Sequence, residues 1–470
     1  MNALFKIILL PFCLLLSVFV FNSVATEGHT IYVSSSIGSD NNRGYSPNEP
    51  LKTLKTAYSK GTNNTILLKA GDVFYEEKTI AFGRSLGKYG KGPNPILCGY
   101  KRLISPNWEK VSDNIWRISL TQDNYTGVKV QGSSYTNNIG CIHEFDKDLV
   151  HGRKRRYLKQ MVQDWDMWQT DITGADSKPE LYDSLYLFYS GNPNDLKLEF
   201  ATGQIAVNIR DASFENINVV GYGFGISAGS NVHIKGCHID AIGGRTLVTS
   251  KSFVCDGNGI GIWIYPYKDT ENTTVENCYI TRVYDSGVCL SGSEGSNATA
   301  RNILVKNNLI AYCCQGWEDF LLNDPPSYYE NCIFEKNIVV FSGESGFGYP
   351  ESRFKYCHIL SDNHRGDKKM QFRNNTFIGG NFHCNEGYKG TYTTNIFDNN
   401  ICYITKDNYL LGNYMGTKDV IRLNLNSNDA ILKYRQLTED KTTTFKIQKS
   451  SSINRRGKRA IRFFLRKHTY

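Results

Sequence analysis

From about Gln204 to Cys402, apolar residues alternate with polar ones in short runs that recur with one grammar. Val232–Ile239, Val275–Ile280, Ile303–Ile310, Phe334–Val339, Phe372–Phe377 and Phe397–Ile401 each show it, and Phe214–Val219 stands at the front. Apolar positions alternate, a polar or small residue marks a bend, and one or two apolar residues follow. Aligned on one column, the runs bring Ile217, Cys237, Cys278, Asn308, Asn337, Asn375 and Asn400 into single file, at successive spacings of 20, 41, 30, 29, 38 and 25. A second file is glycine followed by an apolar residue: Gly225, Gly261, Gly287, Gly316 and Gly346. Period-two alternation predicts strands, and a variable repeat of this size predicts the coils of a solenoid. The expected fold is therefore all-β, a single-stranded right-handed parallel β-helix. Its coils stack about 4.8 Å apart, so that each pairs its backbone with the next. Asn in one column can form a ladder of side-chain amides. Gly in the other is expected to supply a left-handed or bulged corner.

Upstream the grammar changes. Ile31–Ser34 reads as a strand, Pro50–Tyr58 as a short amphipathic helix that caps the open apolar end, and Ile66–Tyr75 as strand, Gly71-Asp72 turn and strand. A polar and aromatic insertion is expected from about Gly127 to Pro193, carrying Trp165 and Trp168 and ending in the strand Ser184–Tyr189. The expected division is 1–25 as a leader, 26–200 as cap, first strands and insertion, 201–410 as coils, and 411–470 as a C-terminal segment with a basic tail.

Composition narrows this. Lys6, the apolar run Ile7–Phe21 and the small residues Ser23-Val24-Ala25 form the pattern of a secretory signal peptide. The mature chain is expected to start near Thr26, secreted or periplasmic, with no stable membrane insertion. The net charge of +9 is concentrated at the end: Arg455–Tyr470 holds seven Lys or Arg and no acid, and removing those and Lys6 leaves 9 − 7 − 1 = +1. A nearly neutral body gives no footprint for nucleic acid. The local cluster Arg153-Lys154-Arg155-Arg156 reads as solvated surface, with an anionic polymer as the sharper alternative. Of 13 Cys, Cys13 lies in the leader; the rest lack C-x-x-C or metal-ligand spacing and are expected to be buried thiols, for the most part. The 29 Tyr and 24 Phe exclude a disordered chain.

The opening resembles the start of secreted right-handed parallel β-helix proteins of the pectin lyase-like superfamily. The residues that carry the likeness are Tyr32-Val33-Ser34, Gly38-Ser39-Asp40, Pro50-Leu51-Lys52-Thr53-Leu54 and Gly71-Asp72. The Asn-rich coils are similar to the repeats of the same superfamily. The resemblance implies the β-helix fold. It implies one of several activities, since the superfamily includes lyases, glycoside hydrolases, epimerases and non-enzymatic adhesins. Its enzymes hold a carbohydrate polymer along a solvent-facing sheet.

On that basis three carboxylates form the candidate catalytic pool. Asp285 and Glu344 precede corner glycines, and Glu318 joins the outward positions if Trp317 points inward. Paired carboxylates suit glycoside hydrolysis, one protonating the leaving oxygen while the other attacks or activates water. Asp285 and Glu344 could instead cap turn amides, and Glu318 could be a solvated surface carboxylate. Trp263 is expected to be a sugar platform. A polysaccharide lyase is the alternative, with Arg353, His358, His364, Arg365 and Lys368 in the Tyr349–Lys369 insertion as base and carboxylate neutraliser. Arg353 and His364 are the substrate-binding candidates. A non-catalytic glycan-binding protein is a third reading. No cofactor or metal is expected, and Ca²⁺ enters only on the lyase route. The expected partner is a polysaccharide, and the expected state a monomer. Sequons at Asn63, Asn124, Asn272, Asn297 and Asn374 are what Asn-rich repeats produce by chance.

Overall fold

A computed structural model describes residues 28–403, apart from 77–78, 103–105, 121–137, 170–183, 251–252, 266–268, 292–298, 321–327, 344–345, 349–356, 363–369, 379–380 and 387–395. The leader at 1–25 and the basic segment at 411–470 lie outside the described residues.

The strands fall into three long parallel sheets, and each full coil contributes one strand to each. Sheet A runs from Thr30–Val33 to Ile396–Asp398, and sheet B from Val73–Tyr75 to Ile401–Tyr403. Sheet C includes Leu198–Arg210, Tyr222–Ala228, Ile262–Ile264, Ser286–Ser291, Gln315–Phe320 and Cys357–Asp362 in adjacent order. This is the expected right-handed parallel β-helix. Inward residues of all three sheets form one continuous core, including Ile66, Phe214, Ile234, Val275, Val305, Phe334 and Phe372 from sheet A. Late in the described coils the core rings follow one another, Phe334 and Phe372 tilted at 5.8 Å and Phe372 and Phe397 stacked at 5.0 Å.

Helix α1, Leu54–Ser59, is shorter than the sequence implied and starts at Thr53, whose hydroxyl accepts from the Thr56 amide at 3.2 Å. Asp40 fixes that start by accepting from the Lys52 and Thr53 amides, both at 3.0 Å. Leu51, Leu54 and Ala57 are wholly buried over Ile31 and Val33, so the helix covers the open end of the core as expected.

The first column is an amide ladder. Asn308, Asn337, Asn375 and Asn400 are joined by Nδ2–H···Oδ1 bonds of 3.0, 3.3 and 2.9 Å. Each Nδ2 also donates to a carbonyl of the preceding coil, Asn337 to Val305 at 2.9 Å and Asn375 to Phe334 at 2.9 Å. Each Oδ1 accepts the backbone amide of the column residue before it, so Asn337 holds Asn308 N at 2.9 Å. The cysteines continue the file. Cys237 Sγ and Cys278 Sγ reach the equivalent carbonyls of Phe214 and Ile234 at 3.4 and 3.9 Å, thiol donors standing where amides stand later.

The glycine column has a different cause from the one expected. Gly261, Gly287 and Gly316 have no positive φ; they leave room. A Cβ on Gly287 would lie 2.6 Å from Ile310 Cγ2, and one on Gly261 3.0 Å from Ile280 Cγ2, because sheet B side chains fill the corner. The left-handed corners belong to Asn, whose short side chain tolerates that region. Asn277, Asn307, Asn374 and Asn399 lie at φ 54°, 55°, 56° and 50° in one file. A second file, Asn231, Asn272, Asn302 and Asn331, forms an outer ladder with amide bonds of 3.1, 3.1 and 2.9 Å. The Asn272 and Asn374 sequons are thus corner residues.

Sheet A carries on its outer face a file that sequence inspection missed. Glu215, Lys235, Glu276, Lys306, Glu335, Arg373 and Asp398 pair in register, so charge alternates from coil to coil. Lys235 and Lys306 both lie 3.3 Å from Glu276, and Arg373 is 2.7 Å from Glu335. Ion pairs at a protein surface contribute about 0–1 kcal/mol each. Their effect is on register, since a slip of one coil would set like charges face to face.

The coils also begin earlier than the repeats suggested, before the insertion. Leu86 pairs with Phe214 and Leu97 with Val219, so two successive coils are adjacent although the chain between them leaves the stack. The insertion starts by Glu109, not Gly127. Glu109–Ser112, Ile115–Ser119, Arg153–Lys154, Asp166–Trp168 and Ser184–Phe188 make a separate five-stranded sheet. Ser184–Phe188 is antiparallel to Ile115–Ser119 and belongs to that sheet. The sheet has its own core around Trp108, Ile118, Met167, Leu185 and Leu187.

Replacing Asn337 by Leu is expected to destabilise the protein by about 2–4 kcal/mol, because it strands several buried donors and acceptors. Denaturant unfolding of variant and parent measures this. Cys278→Asn should extend the ladder by one rung, giving a midpoint at or above that of the parent; a clear fall would contradict the thiol's place in the file.

Candidate functional site

The outer face of sheet C is built by alternation. Ile226, Ile262, Val288, Trp317 and Ile359 pair in register and point into the core. Trp317 is fully buried, 5.1 Å from Phe334 and 6.1 Å from Phe372. Its neighbour Glu318 is thereby turned outward, in file with Ser227, Trp263, Cys289 and Leu360. The expectation for Glu318 rested on that orientation of Trp317.

Asp285 and Glu318 meet at the corner where sheet B passes into sheet C. The Ser286 hydroxyl donates to Glu318 Oε2 and also faces the Asp285 carboxyl. Gln315, turned so that its NH₂ faces the corner, donates to the Asp285 carbonyl at 3.3 Å and to Oδ1 at 3.0 Å. Both carboxyl groups are nearly buried, Asp285 at 6% and Glu318 at 9% exposure. Burial pushes the Asp285 carboxyl well above the usual range, and the charge of Glu318 pushes it further. Cys289 and Cys314 flank the pair, and burial together with these carboxyls pushes both thiols up, so they stay protonated.

The burial of Asp285 has a structural origin. Next to it, Tyr284 packs in a cluster with Tyr100, Cys141, Ala241 and Phe347 outside the corner. The insertion is fastened there. Lys154 N donates to Gly348 O at 2.8 Å, and Gly348 N to Gly152 O at 3.0 Å. Arg282 Nε donates to buried Asp240 at 2.7 Å, and His143, bonded to Glu199 at 3.0 Å, stacks on Tyr100 at 4.7 Å. Burial and the nearby Asp240 charge, against the opposing charge of Arg282, push the Cys141 thiol up to about 12.

Trp263 stands two strands from Glu318 in the same file, at about 10 Å by the strand spacing. Its indole N–H donates to Ser291 at 2.6 Å. Phe224 lies 5.9 Å from it at a shallow angle and Tyr265 4.5 Å away, while the Arg245 guanidinium covers Phe224 at 4.7 Å. Together these side chains make an aromatic row leading toward the carboxyl pair.

Of the residues singled out from sequence, the structure brings together Asp285 and Glu318, and puts Trp263 in file with the second. Glu344, Arg353 and His364 lie outside the described residues, as do Arg365 and Lys368. The column assigned to Glu344 needs correction. The strand stacked on Gln315–Phe320 is Cys357–Asp362, with Cys357 opposite Gln315. The Gly346 corner is therefore not a coil strand; Phe347 leaves the stack to pack on Tyr284. His358 is fully buried and bonded to Ser342 at 2.9 Å, so it is no loop residue. The Arg153–Arg156 cluster is not simply solvated either. Arg153 and Arg155 converge on buried Asp166 at 2.6 and 3.1 Å, and Lys154 is buried against Asn138 at 3.0 Å. Cys98, Cys141, Cys237, Cys278, Cys289, Cys313, Cys314 and Cys332 are buried free thiols, as expected. Ser286 and Gln315 were missed, although Ser286 sits between a candidate acid and a column glycine. Among the described residues, no group of three or more His, Cys, Asp or Glu is placed to hold a metal, and no helix is long and apolar enough to cross a membrane.

No protein-family model matches the chain, and no curated protein matches it. Solved structures do. One described as a complex of XylC with xylose matches over 80% of this chain and 75% of its own, at 12% identity and TM-score 0.42. One described as a glycoside hydrolase matches over 79% and 96%, at 12% identity and TM-score 0.35. The family 28 exopolygalacturonase of Yersinia enterocolitica matches over 82% and 74%, at 10% identity and TM-score 0.35. Three parallel sheets wound coil upon coil, with an amide ladder inside one corner, give this chain a right-handed parallel β-helix fold.

Proposed function

We propose that this protein is a carbohydrate-active enzyme that cleaves a polysaccharide, specifically a glycoside hydrolase using Asp285 and Glu318. The observation that carries the reading is the meeting of these two carboxyls across neighbouring coils, bridged by the Ser286 hydroxyl, where burial and Glu318 push the Asp285 carboxyl up. Glycosidic cleavage needs such a pair: one group protonates the leaving oxygen, and the other attacks the anomeric carbon or activates water. Trp263, in file with Glu318, offers a ring face to the apolar side of a sugar. A polymer lying along the coil axis would pass from the Phe224–Trp263 row to the pair. Export belongs to the same proposal, with Met1–Ala25 as the signal; N-terminal sequencing of protein from the medium should begin near Thr26.

Asp285→Asn and Glu318→Gln are each expected to lower polysaccharide cleavage by about 10²–10⁴-fold. Unchanged product release from both would leave the pair with a purely structural role and end the hydrolase assignment. Trp263→Ala should raise KM about tenfold with little change in kcat. An ultraviolet-absorbing unsaturated product, lost on chelation, would point instead to a lyase acting through the Arg353–Lys368 region. Binding without any change in polymer length would point to a glycan-binding protein.

The raised Asp285 also predicts a pH effect on stability. Its contribution is fully present below the unfolded value of about 3.9 and is lost as pH rises through the higher folded value. Urea unfolding from pH 4 to 8 should show this decline in the parent, and Asp285→Asn should flatten it.

A further inference from the structure

Two side chains with no role in the reading so far stand between the carboxyls. Ser286 and Gln315 pair across the sheet C ladder, and both are fully buried. A serine hydroxyl has one proton to donate, and here it goes to Glu318 Oε2. A hydrogen bond donated to a carboxyl oxygen favours the ionised form. Asp285, which the same hydroxyl also faces, is supplied from the other side by the Gln315 NH₂ at 3.0 Å from Oδ1. The same NH₂ lies 3.4 Å from Ser286 Oγ, which keeps the hydroxyl oxygen on the amide side and its proton toward Glu318.

We propose that Ser286 is the positioning residue that assigns the two catalytic roles, holding the negative charge on Glu318 so that the proton stays on Asp285, and that Gln315 orients the Asp285 carboxyl. Asp285 is then the general acid, and Glu318 the nucleophile or base. In cleavage the Asp285 proton passes to the glycosidic oxygen as its bond to the anomeric carbon breaks. Water supplies the hydroxyl to that carbon and the proton that restores Asp285. The upward push on Asp285 from burial and from Glu318 agrees with this placement. The roles rest on the hydrolase reading; the position of the proton is a property of the folded chain without substrate.

Infrared titration of the full chain tests it, through the C=O stretch of buried protonated carboxyl groups. In the parent, Asp285→Asn should remove the band that persists to higher pH, and Glu318→Gln should leave a band there. Ser286→Ala should raise the lower of the two apparent pKa values of the pair by about 1–2 pH units, because Glu318 loses a donor to its charged form. Ser286→Thr, which keeps a hydroxyl, should restore the parent curve. Gln315→Met provides an independent arm and should raise the upper value. Titration curves of folded Ser286→Ala and Gln315→Met proteins that overlay the parent would overturn the proposal, whatever the activity. A pair that titrates as stated in a protein that cleaves no polysaccharide would sink the hydrolase reading and leave the proton placement standing.

Discussion

The structure depends on coils stacking in register. At about 4.8 Å between strands, each residue has its counterparts above and below as nearest neighbours. Chemistry that is weak at one position then becomes strong when repeated. A single buried Asn would be costly to satisfy, yet four in file satisfy one another and the carbonyls of the preceding coil. The outer Asn file and the alternating charges of sheet A apply the same constraint at the surface, where they tell one coil from the next. The glycines apply it negatively. They keep one file empty so that sheet B side chains can fill the corner.

The candidate site follows from that register. Asp285 and Glu318 are 33 positions apart in the chain by their numbers, and they meet only because Ser286 lies opposite Gln315. The stack alone would leave such a corner wet. The insertion and Phe347 cover its outside, and the cover is held by the hydrogen bonds of Gly152 and Lys154 to Gly348. The scaffold therefore supplies position, and the excursion from the scaffold supplies the dry environment that separates two chemically similar carboxyls.

Much of this could be read from the sequence where side-chain chemistry repeats. The column Ile217, Cys237, Cys278, Asn308, Asn337, Asn375 and Asn400 is a physical column throughout, since its flanking residues pair from Asn218 and His238 to Thr376 and Ile401. Four of the five glycine positions also hold, and with them the orientation of Trp317 and Glu318. The fifth fails because His358 replaces glycine in that coil, while a Gly-Phe-Gly segment elsewhere imitates the motif. Column reading sees only letters that recur. It was blind to alternating charges, which change sign at every step, and to Ser286 and Gln315, which differ although they are partners. It also placed the start of the insertion too late, because Ile115–Ser119 alternates like any coil strand but pairs antiparallel within the insertion.

The place where the insertion leaves and rejoins the stack bears on how the chain assembles. Ser85 and Ser213 are in hydrogen-bond contact across 128 positions, whereas most later coils close over about 20 to 40. Loop-closure entropy grows slowly with length, so the final structure loses little by this detour. The kinetic effect is larger, because a distant pairing must wait for everything between to be made. The front tier and its helical lid emerge first from the ribosome as a short, half-formed spool. They gain a template only when residues beyond 200 arrive, so that seam has a longer reach to close than the coils that follow it.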